Sequence, residues 1–227
     1  MTEHEHGHMD DRDFDFDASL VAARRNRAWF AERGIFAVDL VGGPGSGKTT
    51  LIERTIRELR GRLAVSVLAA APAKGLDGDR VRAAGAPAVA VAVGSQCHLD
   101  AEMVTRGLAE LQPASGSAVL IENVGNLVCP ARIDLGERTK AVVLSVTEGD
   151  DKPLKYPDIF AAAAVLVINK IDLLPHVDFN VDRAVAHARA ANPGIQPIWL
   201  SARSGKGLGC WCDWLRREAS SARDRAA

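Results

Sequence analysis

Short aliphatic runs recur along the chain, and segments with helical spacing separate them. Residues 36–41, 64–69, 88–93, 118–122, 141–146, 165–168 and 197–200 read as seven strands, short and rich in valine. Between them, residues 18–33, 50–60, 77–84, 99–111, 156–163, 181–191 and 208–218 carry helical patterns. Leu51, Ile52, Ile56 and Leu59 mark the apolar stripe of the second of these helices. Gly34, Gly85 and Pro113 stand where helices should stop. Apolar strands alternating with helices predict an α/β fold with a mostly parallel seven-stranded sheet, covered by helices on both faces. In such a sheet, ligands belong at the carboxyl ends of the strands.

The chain has 227 residues, enough for one large α/β domain, and 47% of them are hydrophobic. We read residues 1–17 as a flexible polar tail and residues 18–227 as the domain. The tail holds His4, His6 and His8, then Asp10, Asp11, Asp13, Asp15 and Asp17. It reads chiefly as a solvated end, with loose metal capture as a secondary property. A net charge of −1 calls for neither nucleic acid nor an anionic membrane. No apolar run approaches the ~18 residues of a membrane span, and the N-terminus lacks a signal peptide's apolar core. Four cysteines do not make a disulfide framework here, so reduced thiols in the cytoplasm are expected.

Between the first strand and its helix lies Gly42-Gly43-Pro44-Gly45-Ser46-Gly47-Lys48-Thr49, which fits G-x-x-x-x-G-K-[ST] at every fixed position. Strand, glycine loop and helix is the order of a P-loop, so the fold class sharpens to P-loop NTPase. The glycines let backbone N–H groups face phosphate oxygens, and the helix N-terminus adds partial positive charge. Residues Gly43 to Thr50 are the expected phosphate cradle. Lys48 is assigned to the β- and γ-phosphates, and the Thr49 hydroxyl to Mg²⁺.

Two later stretches suggest the base. Asn169-Lys170-Ile171-Asp172 ends the sixth strand and Ser201-Ala202-Arg203 ends the seventh. They resemble the N-K-x-D and S-A-K elements of GTPases. That likeness has Asp172 accept from guanine N1–H and the 2-amino group, Asn169 and Lys170 brace and cover the base, and the Ala202 N–H meet guanine O6. Adenine would leave the carboxylate unpaired, which is the source of selectivity. Glu122-Asn123-Val124-Gly125 resembles the D-x-x-G switch, with Glu122 near Mg²⁺ and Gly125 sensing the γ-phosphate.

Cys97-His98 follows the third strand and Cys129-Pro130 the fourth. Thiolate and imidazole suit nickel or zinc. A helix just after Cys97 would favour its thiolate. Three ligands leave a four-coordinate site incomplete, and a second copy across a two-fold axis would complete it.

Three long strings sharpen this picture: residues 94–103 (Gly-Ser-Gln-Cys-His-Leu-Asp-Ala-Glu-Met), residues 121–130 (Ile-Glu-Asn-Val-Gly-Asn-Leu-Val-Cys-Pro) and residues 145–157 (Ser-Val-Thr-Glu-Gly-Asp-Asp-Lys-Pro-Leu-Lys-Tyr-Pro). Together with the guanine motif, they resemble the hydrogenase nickel incorporation protein HypB family over residues 18–217. The resemblance implies a slow GTPase of the signal-recognition-particle/MinD class, binding GTP or GDP with Mg²⁺. It implies a GTP-promoted homodimer with Ni²⁺ or Zn²⁺ at a shared interfacial site of Cys97, His98 and Cys129. It also implies a nickel-binding hydrogenase accessory protein and the hydrogenase large subunit as partners. Asp77, in Asp-Gly-Asp-Arg-Val, matches the family's switch segment and becomes a catalytic and Mg²⁺ candidate beside Lys48 and Glu122.

There are departures. Ala70-Ala71 stand where the family has Gly-Asp, removing one acidic group near Mg²⁺, and Ala92-Val93-Gly94 replaces Asn-Thr-Gly. Cys210 and Cys212 match no family ligand and read as packing residues. Two alternatives remain open: a metal-binding adaptor or storage protein with weak GTPase activity, and the related urease nickel GTPase. The adjacent Cys97-His98 argues against the latter.

Overall fold

The structure, a computed structural model, describes residues 16–71, 77–94 and 96–227. Of the tail expected over residues 1–17, residues 1–15 lie outside the described residues and Phe16 and Asp17 begin the first helix; residues 72–76, after the second strand, also lie outside. Seven strands form one sheet: β1 Phe36–Val41, β2 Val65–Ala71, β3 Ala88–Ala92, β4 Ala118–Glu122, β5 Thr139–Ser145, β6 Ala163–Asn169 and β7 Gln196–Trp199. Their spatial order is β3-β2-β4-β1-β5-β6-β7, and every pairing is parallel. The helices are α1 Phe16–Glu32, α2 Lys48–Leu59, α3 Asp77–Ala84, α4 Ala101–Leu111, α5 Lys152–Lys155, α6 Pro157–Ala161, α7 Val181–Ala191 and α8 Leu208–Ala226.

β1 is buried along its whole length, the signature of a strand covered on both faces. Val38 and Leu40 pack with Leu51 and Ile56 of α2 and Trp211 of α8 on one face. On the other, Ala37 packs with Phe30 of α1 and Leu108 of α4, while Val41 packs with Phe160 of α6 and Val185 of α7. Each fully buried leucine or isoleucine stabilises this arrangement by about 1.5–3 kcal/mol. Trp211 stacks on Trp214 at 5.1 Å and donates through Nε1 to the Thr55 hydroxyl at 2.9 Å, tying α8 to the helix of the glycine loop.

Four local expectations are corrected. The helix expected at 156–163 is two short pieces, α5 and α6, parted at Tyr156, because proline disfavours helical backbone in the residue before it. Residues 163 and 164 belong to β6 instead. α4 begins at Ala101, not Leu99, since Asp100 caps it by accepting the Met103 N–H at 2.7 Å. α8 runs past Glu218 to Ala226, where Ala219 and Ala222 are buried against the sheet.

Candidate functional site

The loops that follow β1, β3, β4, β6 and β7 all leave the carboxyl edge of the sheet, so the tertiary fold gathers the motifs there. The glycine loop crosses from β1 to α2. Gly42 passes Val143 so closely that a Cβ would lie 2.3 Å from its carbonyl oxygen. Gly47 has φ 98°, and a Cβ there would strike Asn169 Nδ2. Lys48 folds back over the loop, donating to Gly42 O at 3.0 Å and Gly43 O at 3.3 Å. The Thr49 hydroxyl donates to Glu122 Oε1 at 2.5 Å, bringing β4's end to α2. Two adjacent hard oxygen donors fit Mg²⁺. Pro44 and Gly45 are exposed, while Ser46 is buried. Thr50 continues the first turn of α2.

The β6 and β7 ends brace this loop. Asn169 Nδ2 donates to Ser46 O at 2.9 Å, and its Oδ1 accepts from Lys170 N at 2.8 Å and Ala202 N at 3.0 Å. Lys170, with φ 64°, donates through Nζ to Gly45 O at 2.7 Å. The Ala202 N–H, which the GTPase likeness gives to guanine O6, is held by Asn169 instead. Ser201 accepts through Oγ from Ser204 N at 3.0 Å, and Arg203 is exposed. Asp172 is exposed in the 3-10 turn Ile171–His176. Asp77 opens α3, and its side chain lies outside the described residues. Ala70 and Ala71 end β2, so no carboxylate stands there.

Cys97, His98 and Cys129 converge: one ligand atom from each lies within 4.8 Å of the others. Two sulfurs and an imidazole nitrogen at this spacing fit a borderline or soft cation such as Ni²⁺ or Zn²⁺. They line a cleft of about 830 Å³ together with Val128, Tyr156 and Asp158. The Cys97 and Cys129 sulfurs stand against each other in this structure, near enough to pair. Loops close enough to place two sulfurs on one ion are close enough to let the sulfurs pair. His98 Nδ1 stands 3.7 Å from Cys97 Sγ. Burial lowers the His98 pKa against the pull of Asp100, which favours the neutral imidazole a metal needs. The helix-dipole argument for a Cys97 thiolate is also corrected, because α4 starts four positions later, beyond the reach of its first turn. Cys212 is buried, and burial pushes its thiol up to about 12; Cys210 is exposed and is not a packing residue. Two positions apart on a helix, they point to nearly opposite sides.

Several residues without a sequence motif of their own complete the site. Glu148 turns toward the loop: a Cβ on Gly43 would lie 2.9 Å from its Oε2, and burial raises its carboxyl pKa. Beneath the site, Lys140 joins Asp39 at 2.9 Å and Glu137 at 2.6 Å, and donates to Ile133 O at 2.9 Å. Burial opposes the Lys140 charge, but the two carboxylates prevail and raise its pKa. Asn123 Nδ2 donates to both Asp39 oxygens at 3.2 Å, and its Oδ1 accepts the Leu99 N–H at 3.1 Å. An Asp inside a strand read as buried, and an Asn after Glu122, were the available signals.

Comparison with known proteins agrees with this architecture. The family model for the CobW/HypB/UreG nucleotide-binding domain matches residues 36–198. The hydrogenase maturation factor HypB of Rhizobium leguminosarum bv. viciae is 52% identical over 201 residues, covering 88% of this chain and 67% of that protein. The chain thus spans about two thirds of the curated relatives' length, at 67% and 65% for two of them. The crystal structure of the maturation factor from Archaeoglobus fulgidus superposes with a TM-score of 0.83 at 39% identity, covering 90% of this chain and all of that one (100%). The structure of HypB from Helicobacter pylori in complex with nickel superposes with a TM-score of 0.80 at 29% identity, covering 90% and 96% of the two chains.

Proposed function

The chain belongs to the HypB hydrogenase maturation factors within the CobW/HypB/UreG family, and from that membership we propose that it is a cytoplasmic GTP-hydrolysing nickel carrier for [NiFe] hydrogenase maturation. The observation that carries this reading is the meeting of two sites on one short loop. Glu122 reaches Thr49 of the phosphate loop, and Cys129, seven residues on, belongs to the Cys97–His98–Cys129 cluster.

Backbone N–H groups of Gly43 and of residues 45–50 would hold the phosphates, and Lys48 would turn from Gly42 and Gly43 to the β- and γ-oxygens. Thr49, Glu122 and Asp77 would hold Mg²⁺, which offsets phosphate charge when bound. Asp172 would read guanine, with Asn169, Lys170 and the Ser201-Ala202-Arg203 turn behind it. Gly125 would sense the γ-phosphate through its bare backbone; it lies against Pro44, where a Cβ would come 3.0 Å from Pro44 Cα.

Nickel, or zinc in its place, is the cargo. Three ligands from one chain invite completion by a second copy, and Val128 exposes an apolar side chain at the cleft. GTP would favour a two-fold dimer sharing one metal, and GDP would loosen it. A nickel-binding accessory protein and the hydrogenase large subunit would receive the ion. Ala70-Ala71 supports a second reading, an adaptor with weak GTPase activity, because the acidic residue expected after β2 is missing.

Metal content and solution mass, measured with GDP and with a non-hydrolysable GTP analogue under reducing conditions, test the first reading. A metal-loaded dimer with the analogue alone is the expected result. Identical content and mass in both states would remove the nucleotide from control. Single-turnover GTP hydrolysis separates the carrier from the adaptor.

A further inference from the structure

The segment Glu122-Asn123-Val124-Gly125-Asn126 does more than join two sites in sequence. On its nucleotide side, Glu122 meets Thr49, Gly125 lies against Pro44, and the Asn126 backbone forms an antiparallel bridge with Gly42 of the glycine loop. On its metal side, its two asparagines hold both ends of Cys97-His98-Leu99. Asn123 Oδ1 accepts the Leu99 N–H at 3.1 Å, and Asn126 Nδ2 donates to Cys97 O at 3.3 Å.

The two ties differ in kind. Asn123 is buried, its Oδ1 also takes the Val124 N–H at 3.0 Å, and its amide is fixed to the Asp39 carboxylate. It is a fixed end. Asn126 is half-buried, and its Oδ1 accepts the Val128 N–H at 2.8 Å. Its side chain therefore grips one cysteine at its carbonyl and the residue before the other cysteine at its amide, while its main chain is paired to the glycine loop. Any shift of Gly125 between these two asparagines changes the Asn126–Gly42 bridge and is carried to both sulfur-bearing loops at once.

We propose that Asn126 is the positioning residue through which the nucleotide loop sets the placement of Cys97 relative to Cys129. The proposal rests on the coupling of nucleotide and metal put forward above and names its mechanical link. Coupling of two ligands is a ratio of affinities, typically about 5- to 150-fold. A residue that merely supports the metal loop lowers metal affinity equally with either nucleotide and leaves that ratio alone.

The test measures Ni²⁺ affinity by chelator competition in reducing buffer, with GDP and with a non-hydrolysable GTP analogue. It uses the full chain and the variants Asn126→Ala and Asn126→Asp. The Ala variant loses both ties. The Asp variant keeps an acceptor for the Val128 N–H but sets an acceptor against the Cys97 carbonyl. In both, the affinity ratio should fall to within about twofold of one, while the wild type keeps a ratio in the coupled range. A wild-type ratio retained by either variant overturns the role of Asn126 and leaves the coupling standing. A ratio of one in the wild type overturns the coupling itself and the link with it.

Discussion

Replacing Lys140 by Met should be the most destabilising single change near the site, and its cost should depend on pH. The amine is 7% exposed and lies between Asp39, 0% exposed, and Glu137, 6% exposed. Methionine keeps the alkyl stem but leaves two carboxylates and the Ile133 carbonyl without their cation. Removing one partner of a buried ion pair costs about 3–5 kcal/mol. Against a total stability of ~5–15 kcal/mol, that is a large share. For a chain of this size, the same loss lowers Tm by roughly 6–20 °C. The sign with pH follows from the charges left behind. Glu137 already has a raised pKa because of burial, and without Lys140 it should rise further. A carboxyl with a raised folded pKa binds its proton more tightly in the folded state, so the variant loses stability as pH rises through that range and regains it on acidification. The Lys140 contribution itself, from a raised pKa, is fully present below the unfolded lysine value and is lost only at strongly alkaline pH. Guanidinium denaturation of wild type and Lys140→Met, followed by far-ultraviolet circular dichroism at pH 7.5 and 5.5, reads both effects. The gap should exceed ~3 kcal/mol at the higher pH and narrow at the lower. A gap below about 1 kcal/mol, or one that does not move with pH, would refute the assignment of a charged, mutually compensated cluster.

Asp172→Asn should weaken GTP by on the order of 1–3 kcal/mol and favour xanthosine triphosphate, whose 2-oxo group accepts where guanine donates; unchanged GTP affinity by titration would remove Asp172 from the base site. Cys97 and Cys129 can pair with each other, so mild oxidation should remove two of the four thiols that the denatured protein titrates and leave Cys210 and Cys212. Metal uptake at this site should need the reduced form, since the disulfide and the ion compete for the same sulfurs; equal uptake by both forms would place the metal elsewhere. Glu148→Gln removes a negative charge facing Gly43 and should tighten GDP binding by ~1 kcal/mol or more, whereas weaker binding would mean the carboxylate contacts the nucleotide directly. Removal of residues 1–17 should leave the tightest Ni²⁺ or Zn²⁺ site intact, and its disappearance would make the tail a ligand.

Local chemistry was legible along the chain wherever a feature depends on neighbours in sequence. A fully buried parallel strand is mostly apolar, so β1 announced itself despite Asp39, and a phosphate loop needs glycines at set intervals before a helix. Proline and glycine marked most element ends, yet the break at Tyr156 was missed because the Pro157 constraint acts on the residue before it. The cysteines and His98 were visible as ligand types, but nothing local says that their loops meet within 4.8 Å. That depends on β4 lying between β2 and β1, an order no hydrophobic period encodes. The same holds for polar residues. Asn123, Asn126, Lys140 and Glu148 have no assigned chemistry in the sequence motifs, and each acquires its role from groups between 3 and 101 positions away, or from a glycine of the phosphate loop. Periodicity reports which face of an element is buried; only the closing of the sheet decides which charge or N–H a buried polar group meets, and that partner sets its energy.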